Sequence, residues 1–171
     1  MIAEHMGTVA MDLPVMESDS PPPIRLRGHT LLCLQGFRGK GYSPEFVENM
    51  SAIHRILTGH PETLVEVLDS PDVVCGACPH RHPIGCTLNG NRSEEELKDQ
   101  DHVVLRRLGL QVGSRVRWQG VLDRIRASLR SDDLSTICGN CRWLPLGLCR
   151  EGIERLGHPT KDLPSDEING R

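Results

Sequence analysis

Cysteine spacing constrains this chain more than any other feature. Cys75, Cys78 and Cys86 recur at the same intervals as Cys138, Cys141 and Cys149, and each trio carries glycine after its first cysteine, Gly76 and Gly139. Two residues between cysteines let both thiolates turn toward one ion or cluster, because a tight turn brings their Cβ atoms together while backbone amides point at the sulfurs. Glycine eases such a turn. The spacers contain Pro79, Pro83 and Gly85 in one trio and Pro145 and Gly147 in the other, so a stiff loop returns the third thiolate. The doubled C-G-x-C-x7-C pattern reads as a ligand framework rather than as buried free cysteines packing like small hydrophobes.

A chain of 171 residues suits one domain with tails. Aromatic residues make up 3% of it, so its core gains little from large rings and much from cross-linking. With a net charge of -3 and a pI near 6.2 it lacks the basic footprint of nucleic-acid or anionic-membrane binding, and no other partner is named by the sequence. No apolar run approaches a membrane span, and Glu4 and Asp12 lie where a signal peptide would be basic and then apolar. The expected location is cytoplasmic, where stable disulfides are rare and clustered cysteines serve as metal ligands or catalytic thiols.

Residues 1–23, with scattered acids and the run Pro21 to Pro23, read as a disordered leader, 24–157 as the cysteine-rich domain and 158–171 as a flexible tail. The expected fold is mainly α: a small single domain of four to five helices, with metal-binding loops between them and at most a short β element. One helix should start at Ser43 as N-cap with Pro44 behind it, carrying the stripe Phe46, Met50, Ile53 and Leu57. Alternation over Leu64 to Val67 predicts a short strand. A second helix should start at Ser93 with Glu96 completing a capping box, and end at Gly109. A third should follow Ser114, with Trp118, Leu122, Ile125 and Leu129 in register, before a helical turn from Ser131 delivers Cys138.

Each trio supplies three ligands, whereas a closed tetrahedral zinc or an all-cysteine cluster takes four. Cys33 is the only other cysteine, and His29, four residues before it, would share its helical face. Either Cys33 completes one site while His29 serves the other or orients a ligand, or four trio cysteines share one site and Cys33 packs between its leucines. A redox dithiol would need a CxxC between strand and helix, which Pro79 and Pro145 argue against. Asp101 interrupts the apolar stripe between Leu97 and Leu105, the mark of a hydrogen-bonded polar residue or a functional carboxylate. The arginines at positions 106, 107, 115, 117, 124, 126 and 130 read as a solvated face balanced by Glu94 to Glu96, Asp132 and Asp133, rather than as an acidic-partner or nucleic-acid surface.

Three stretches carry a resemblance: R-G-H-T-L-L-C-L-Q-G-F-R-G-K-G-Y-S-P-E-F-V-E-N-M from Arg27 to Met50, C-G-A-C-P-H from Cys75 to His80, and C-G-N-C-R-W-L-P-L-G-L-C from Cys138 to Cys149. From Ile24 to about Gly152 the chain resembles the domain of unknown function 1284, small bacterial and archaeal proteins suspected of binding iron-sulfur clusters. Relatives often carry a second histidine where Thr30 stands and a proline where Arg142 stands. The resemblance implies iron-sulfur binding, and the residues themselves offer Cys75, Cys78, Cys86, Cys138, Cys141 and Cys149 as ligands, with Cys33 and His29 as the further candidates. It implies no reaction, so whether the chain is an enzyme stays open. Chemistry alone separates iron from zinc weakly: proline after Cys78 resembles iron-sulfur loops, while CxxC with adjacent glycine also suits zinc ribbons. Iron-sulfur is the leading expectation. A structural zinc module with a protein or nucleic-acid interaction role is the alternative.

Overall fold

The computed structural model describes residues 21–157, so the leader expected over 1–23 falls outside the described residues except for its last three prolines, and the tail over 158–171 falls wholly outside. Strand β1 (Ile24–Arg27) runs without a capping side chain into helix α1 (Gly28–Gly36). Helix α2 (Pro44–Gly59) starts as Ser43 and Pro44 predict, with Ser43 Oγ accepting from the Phe46 amide at 3.1 Å, and it buries Phe46, Met50, Ile53 and Leu57. Strand β2 (Leu64–Leu68) follows at the expected place. A 3-10 turn (Cys75–Ala77) leads to a small hairpin, β3 (Arg81–His82) and β4 (Gly85–Cys86). Helix α3 (Ser93–Arg107), strand β5 (Arg115–Arg117) and helix α4 (Trp118–Ser128) come next. A turn at Ser131–Asp133 opens into the one-turn helix α5 (Leu134–Ile137), and the 3-10 turn Leu144–Leu146 precedes helix α6 (Leu148–Gly157).

The fold is mainly helical, with six α-helices among the described residues, around a three-stranded sheet of order β1-β2-β5. β1 and β2 are parallel, so the chain crosses over through α1 and α2 between them; β5 is antiparallel to β2. Leu26, Val65 and Val67 face the core with Met50, Leu57, Leu108, Trp118 and Ile125. On the other face Glu66 bridges Arg25 at 3.3 Å and Arg115 at 3.0 Å, a cross-strand charge set at the exposed side of the sheet. No helix among the described residues is long and apolar enough to cross a membrane.

Local corrections have clear causes. Ser93 makes no capping box: its Oγ accepts from the Asn89 amide at 2.6 Å, holding the loop from β4, and Arg92 stands at the N-cap. Ser114 accepts from the Gln111 amide at 3.0 Å, and the residues after it pair with β2 as a strand, so α4 begins only at Trp118. Its buried face is Trp118, Val121 and Ile125, with Leu122 partly exposed. Gly109 does end α3 in the left-handed region at φ 63°.

Candidate metal centre

The two trios share a backbone conformation as well as a spacing. The Cys78 amide donates to the Cys75 carbonyl at 3.1 Å and the Cys141 amide to the Cys138 carbonyl at 2.7 Å. The next turn repeats too, with the amides of Arg81 and Leu144 donating to the carbonyls of Cys78 and Cys141 at 3.1 and 3.2 Å. Each CxxC is therefore a pair of tight turns rather than the start of a helix, as its prolines require.

These loops meet. All seven cysteines and His29 line one cavity of about 350 Å³, together with Tyr42, Trp143 and Gln100. Helix α1 contributes His29 and Cys33, β4 contributes Cys86, Cys138 is the C-cap of α5, and Cys149 lies in the first turn of α6. Two glycines set how closely α1 and α6 cross: a Cβ on Gly36 would stand 2.6 Å from the Cys149 amide nitrogen and Sγ, and one on Gly152 would strike the Gln35 carbonyl. Backbone thus lies against backbone, and Cys33, one turn before Gly36, falls beside the second trio.

The electrostatics agree. Burial, then the charges of Cys149, Cys138 and Cys141, hold the Cys33 thiol well above its ordinary range. Burial, then Cys141 and Cys149, push Cys138 up to about 11, and burial with the neighbouring Asp72 pushes Cys75 up to about 12. Cys78 and Cys149 are also raised, by burial first. A nucleophilic or redox cysteine needs the opposite shift. Thiols raised in this way keep their protons at neutral pH unless a cation takes their place.

An aromatic pillar joins the trios, and composition alone gave no sign of it. Tyr42, in the loop between α1 and α2, stacks on Trp143 with centroids 4.8 Å apart and meets His80 edge-on at 5.1 Å. His80 and Trp143 stand two residues beyond the second cysteine of each trio, so reading the repeat two residues further would have found them. Phe46 closes the cluster, 5.1 Å from Tyr42.

Asp101 is fully buried and hydrogen-bonded, as its place in the apolar stripe required. Its Oδ2 accepts from Arg27 Nε at 2.7 Å, and its Oδ1 accepts from the His29 amide at 2.9 Å and lies 2.7 Å from His29 Nδ1. Burial raises its pKa, but the hydrogen bonds and charges of His29 and Arg27 outweigh that and hold the carboxyl below its ordinary range. Several of the clustered arginines are paired: Arg115 with Glu66, Arg107 with Asp133 and Arg126 with Asp123, while Arg124 donates to the Leu108 carbonyl.

The donors fit a thiophilic group: seven sulfurs and one imidazole facing one space is the chemistry of zinc or iron-sulfur binding. Among the described residues no three Cys, His, Asp or Glu side chains already stand close enough to enclose an ion, so binding would have to draw the loops inward. A family model described as "Protein of unknown function (DUF1284)" matches residues 41–147, which span Cys75, Cys78, Cys86, Cys138 and Cys141 but not His29, Cys33 or Cys149. No curated protein and no solved structure matches the chain.

Proposed function

The chain belongs to the DUF1284 family, whose description assigns no activity, and from that premise we propose that it is a metal-binding protein whose cysteines hold an iron-sulfur cluster. The observation that carries this reading is the convergence of every cysteine on one cavity, although they come from segments up to 116 residues apart, Cys33 to Cys149. Hydrophobic packing alone gives no reason for seven partly buried thiols to face the same space. The size of the cavity favours a polynuclear group over a lone ion, whose sulfur ligands need approach only to about 2.3 Å. When bound, the cluster would supply one-electron redox chemistry or a structural cross-link. The residues themselves would supply the thiolates, with Tyr42 and Trp143 lining the cavity beside them.

Protein purified without oxygen is expected to be brown, with visible charge-transfer absorption and with iron and acid-labile sulfide in stoichiometric amounts. Colourless protein with stoichiometric zinc would replace the cluster with the structural-zinc alternative. Protein that takes up neither would sink the metal-binding reading altogether.

A further inference from the structure

Three carboxylates converge on Arg27, and each also holds a different part of the cavity wall. Asp72 Oδ2 accepts from the Arg27 amide at 2.8 Å, and its Oδ1 accepts from the Cys75 amide at 3.1 Å. Glu94 Oε2 accepts from Arg27 Nη1 at 3.0 Å and from the Cys86 amide at 2.7 Å. Asp101 accepts from Arg27 Nε and meets His29 Nδ1, both at 2.7 Å. One residue, fully buried, thereby ties Cys75, Cys86 and His29 into a common frame. Among the described residues no carboxylate holds a backbone amide of Cys138, Cys141 or Cys149 in this way.

We propose that His29 is the nitrogen donor that completes the first trio, giving a Cys75, Cys78, Cys86 and His29 ligand set, with Asp101 and Arg27 as its positioning residues. The inference rests on the metal-binding reading and deepens it. Asp101 already accepts from the guanidinium and from the His29 amide, so it faces Nδ1 as an acceptor and Nδ1 carries the proton. That leaves the Nε2 lone pair of a cavity-lining ring free to bind. A carboxylate on the far nitrogen is how proteins commonly fix the tautomer and ring orientation of a ligating histidine. Charge points the same way. Asp72, Glu94 and Asp101 outnumber the single Arg27, so beside three thiolates a neutral imidazole is a better fourth donor than another anion. Cys33 lies on the other side, beside Cys149, and stays with the second trio.

Two measurements on the full chain test this. In metal-free, reduced protein, 15N spectra of the histidine rings, assigned by loss of one signal in His29→Ala, should place the single proton of the neutral His29 ring on Nδ1, facing Asp101. A neutral ring that carries its proton on Nε2 instead overturns the proposal without any variant having to fold. Cobalt(II) alone then serves as the probe in Cys141→Ser protein, whose second site is disabled. Adding His29→Ala should shift the visible cobalt bands, and adding Asp101→Asn should weaken cobalt binding by roughly 10–100-fold with the bands retained. Cobalt bands and affinity indifferent to His29→Ala overturn the ligand assignment while leaving metal binding intact. A wild-type chain that takes up no cobalt through sulfur overturns the metal-binding reading and this inference together.

Discussion

Tyr42 lies against Trp143 with ring planes 27° apart, and this stack joins the loop after α1 to the loop of the second trio. His80 approaches the same tyrosine edge-on, at 89°, from the first trio. Two segments far apart in sequence therefore meet on one ring, which itself lines the cavity. Burial, then the thiols of Cys33, Cys141, Cys78 and Cys86, push the Tyr42 hydroxyl up, as expected for a phenol facing both trios.

Removing the ring should loosen both trios at once. Tyr42→Phe keeps the stack and is expected to stay within about 0.5 kcal/mol of the parent protein. Tyr42→Ala loses the aromatic contacts, worth about 0.5–1.5 kcal/mol per pair beyond burial, and should cost about 2–4 kcal/mol in denaturant unfolding. Limited proteolysis should then cut in both trio loops. Cleavage confined to one of them would show that the ring does not couple the two.

Arg27 should be the most sensitive single charge. It is fully buried between Asp101 and Glu94, so Arg27→Met leaves Asp101 buried without its cation, at a cost of about 3–5 kcal/mol. Arg27→Lys should recover only part of this, since an ammonium cannot span two carboxylates as the guanidinium fork does. Equilibrium unfolding of the metal-free protein measures both. A loss under about 1 kcal/mol for Arg27→Met would mean that the network is not a stabilising unit.

What could be read from the sequence depended on how local the signal is. Ser43 with Pro44 is a self-contained helix start, and the doubled cysteine spacing is a self-contained pair of turns; both reappear in the structure. Asp101 stood out because a carboxylate in an apolar stripe must find partners, but Arg27 and His29, 74 and 72 residues away, could not be named from α3 alone. Ser93 and Ser114 have capping chemistry and spend it on neighbouring loops, a choice made by tertiary context. β1 and β5 hold four and three residues, too few for alternation to show, so β2 was the one strand of this small sheet that the pattern could reveal. Helix α6 begins inside a trio, where cysteine spacing masks its start.

The thiols give stability two opposite pH dependences. Without metal, Cys75 and Cys138 lose protons at about 12 and about 11 when folded, against 9.0 for an ordinary cysteine. Their raised values mean that the folded state holds its protons longer, so this stabilisation is full below pH 9.0 and is lost as pH rises toward those values. With metal bound the sign reverses. The folded thiols are already deprotonated while the unfolded ones are not, so stability should rise with pH up to about 9. Melting temperatures across this range in chelated and loaded protein should diverge, and parallel profiles would show that the thiols do not bind the metal.

Cys33 decides how the cavity is divided. It lies on α1 one turn before Gly36, where a Cβ would touch the Cys149 Sγ at 2.6 Å, and after burial the cysteines of the second trio are what raise its thiol. Cys33→Ser keeps the size of the side chain and removes the thiolate. If Cys33 is the fourth ligand of that trio, metal content should fall by roughly half, the share of one of two four-ligand sites, while the site around Cys75 persists. Serine in a buried, non-ligating position would instead cost about 1 kcal/mol of stability and leave metal content unchanged. The two outcomes separate because stability and stoichiometry are read independently, by unfolding and by elemental analysis of the same sample. Full occupancy in Cys33→Ser protein would place Cys33 in the packing between α1 and α6 and return the fourth position of the second trio to another donor.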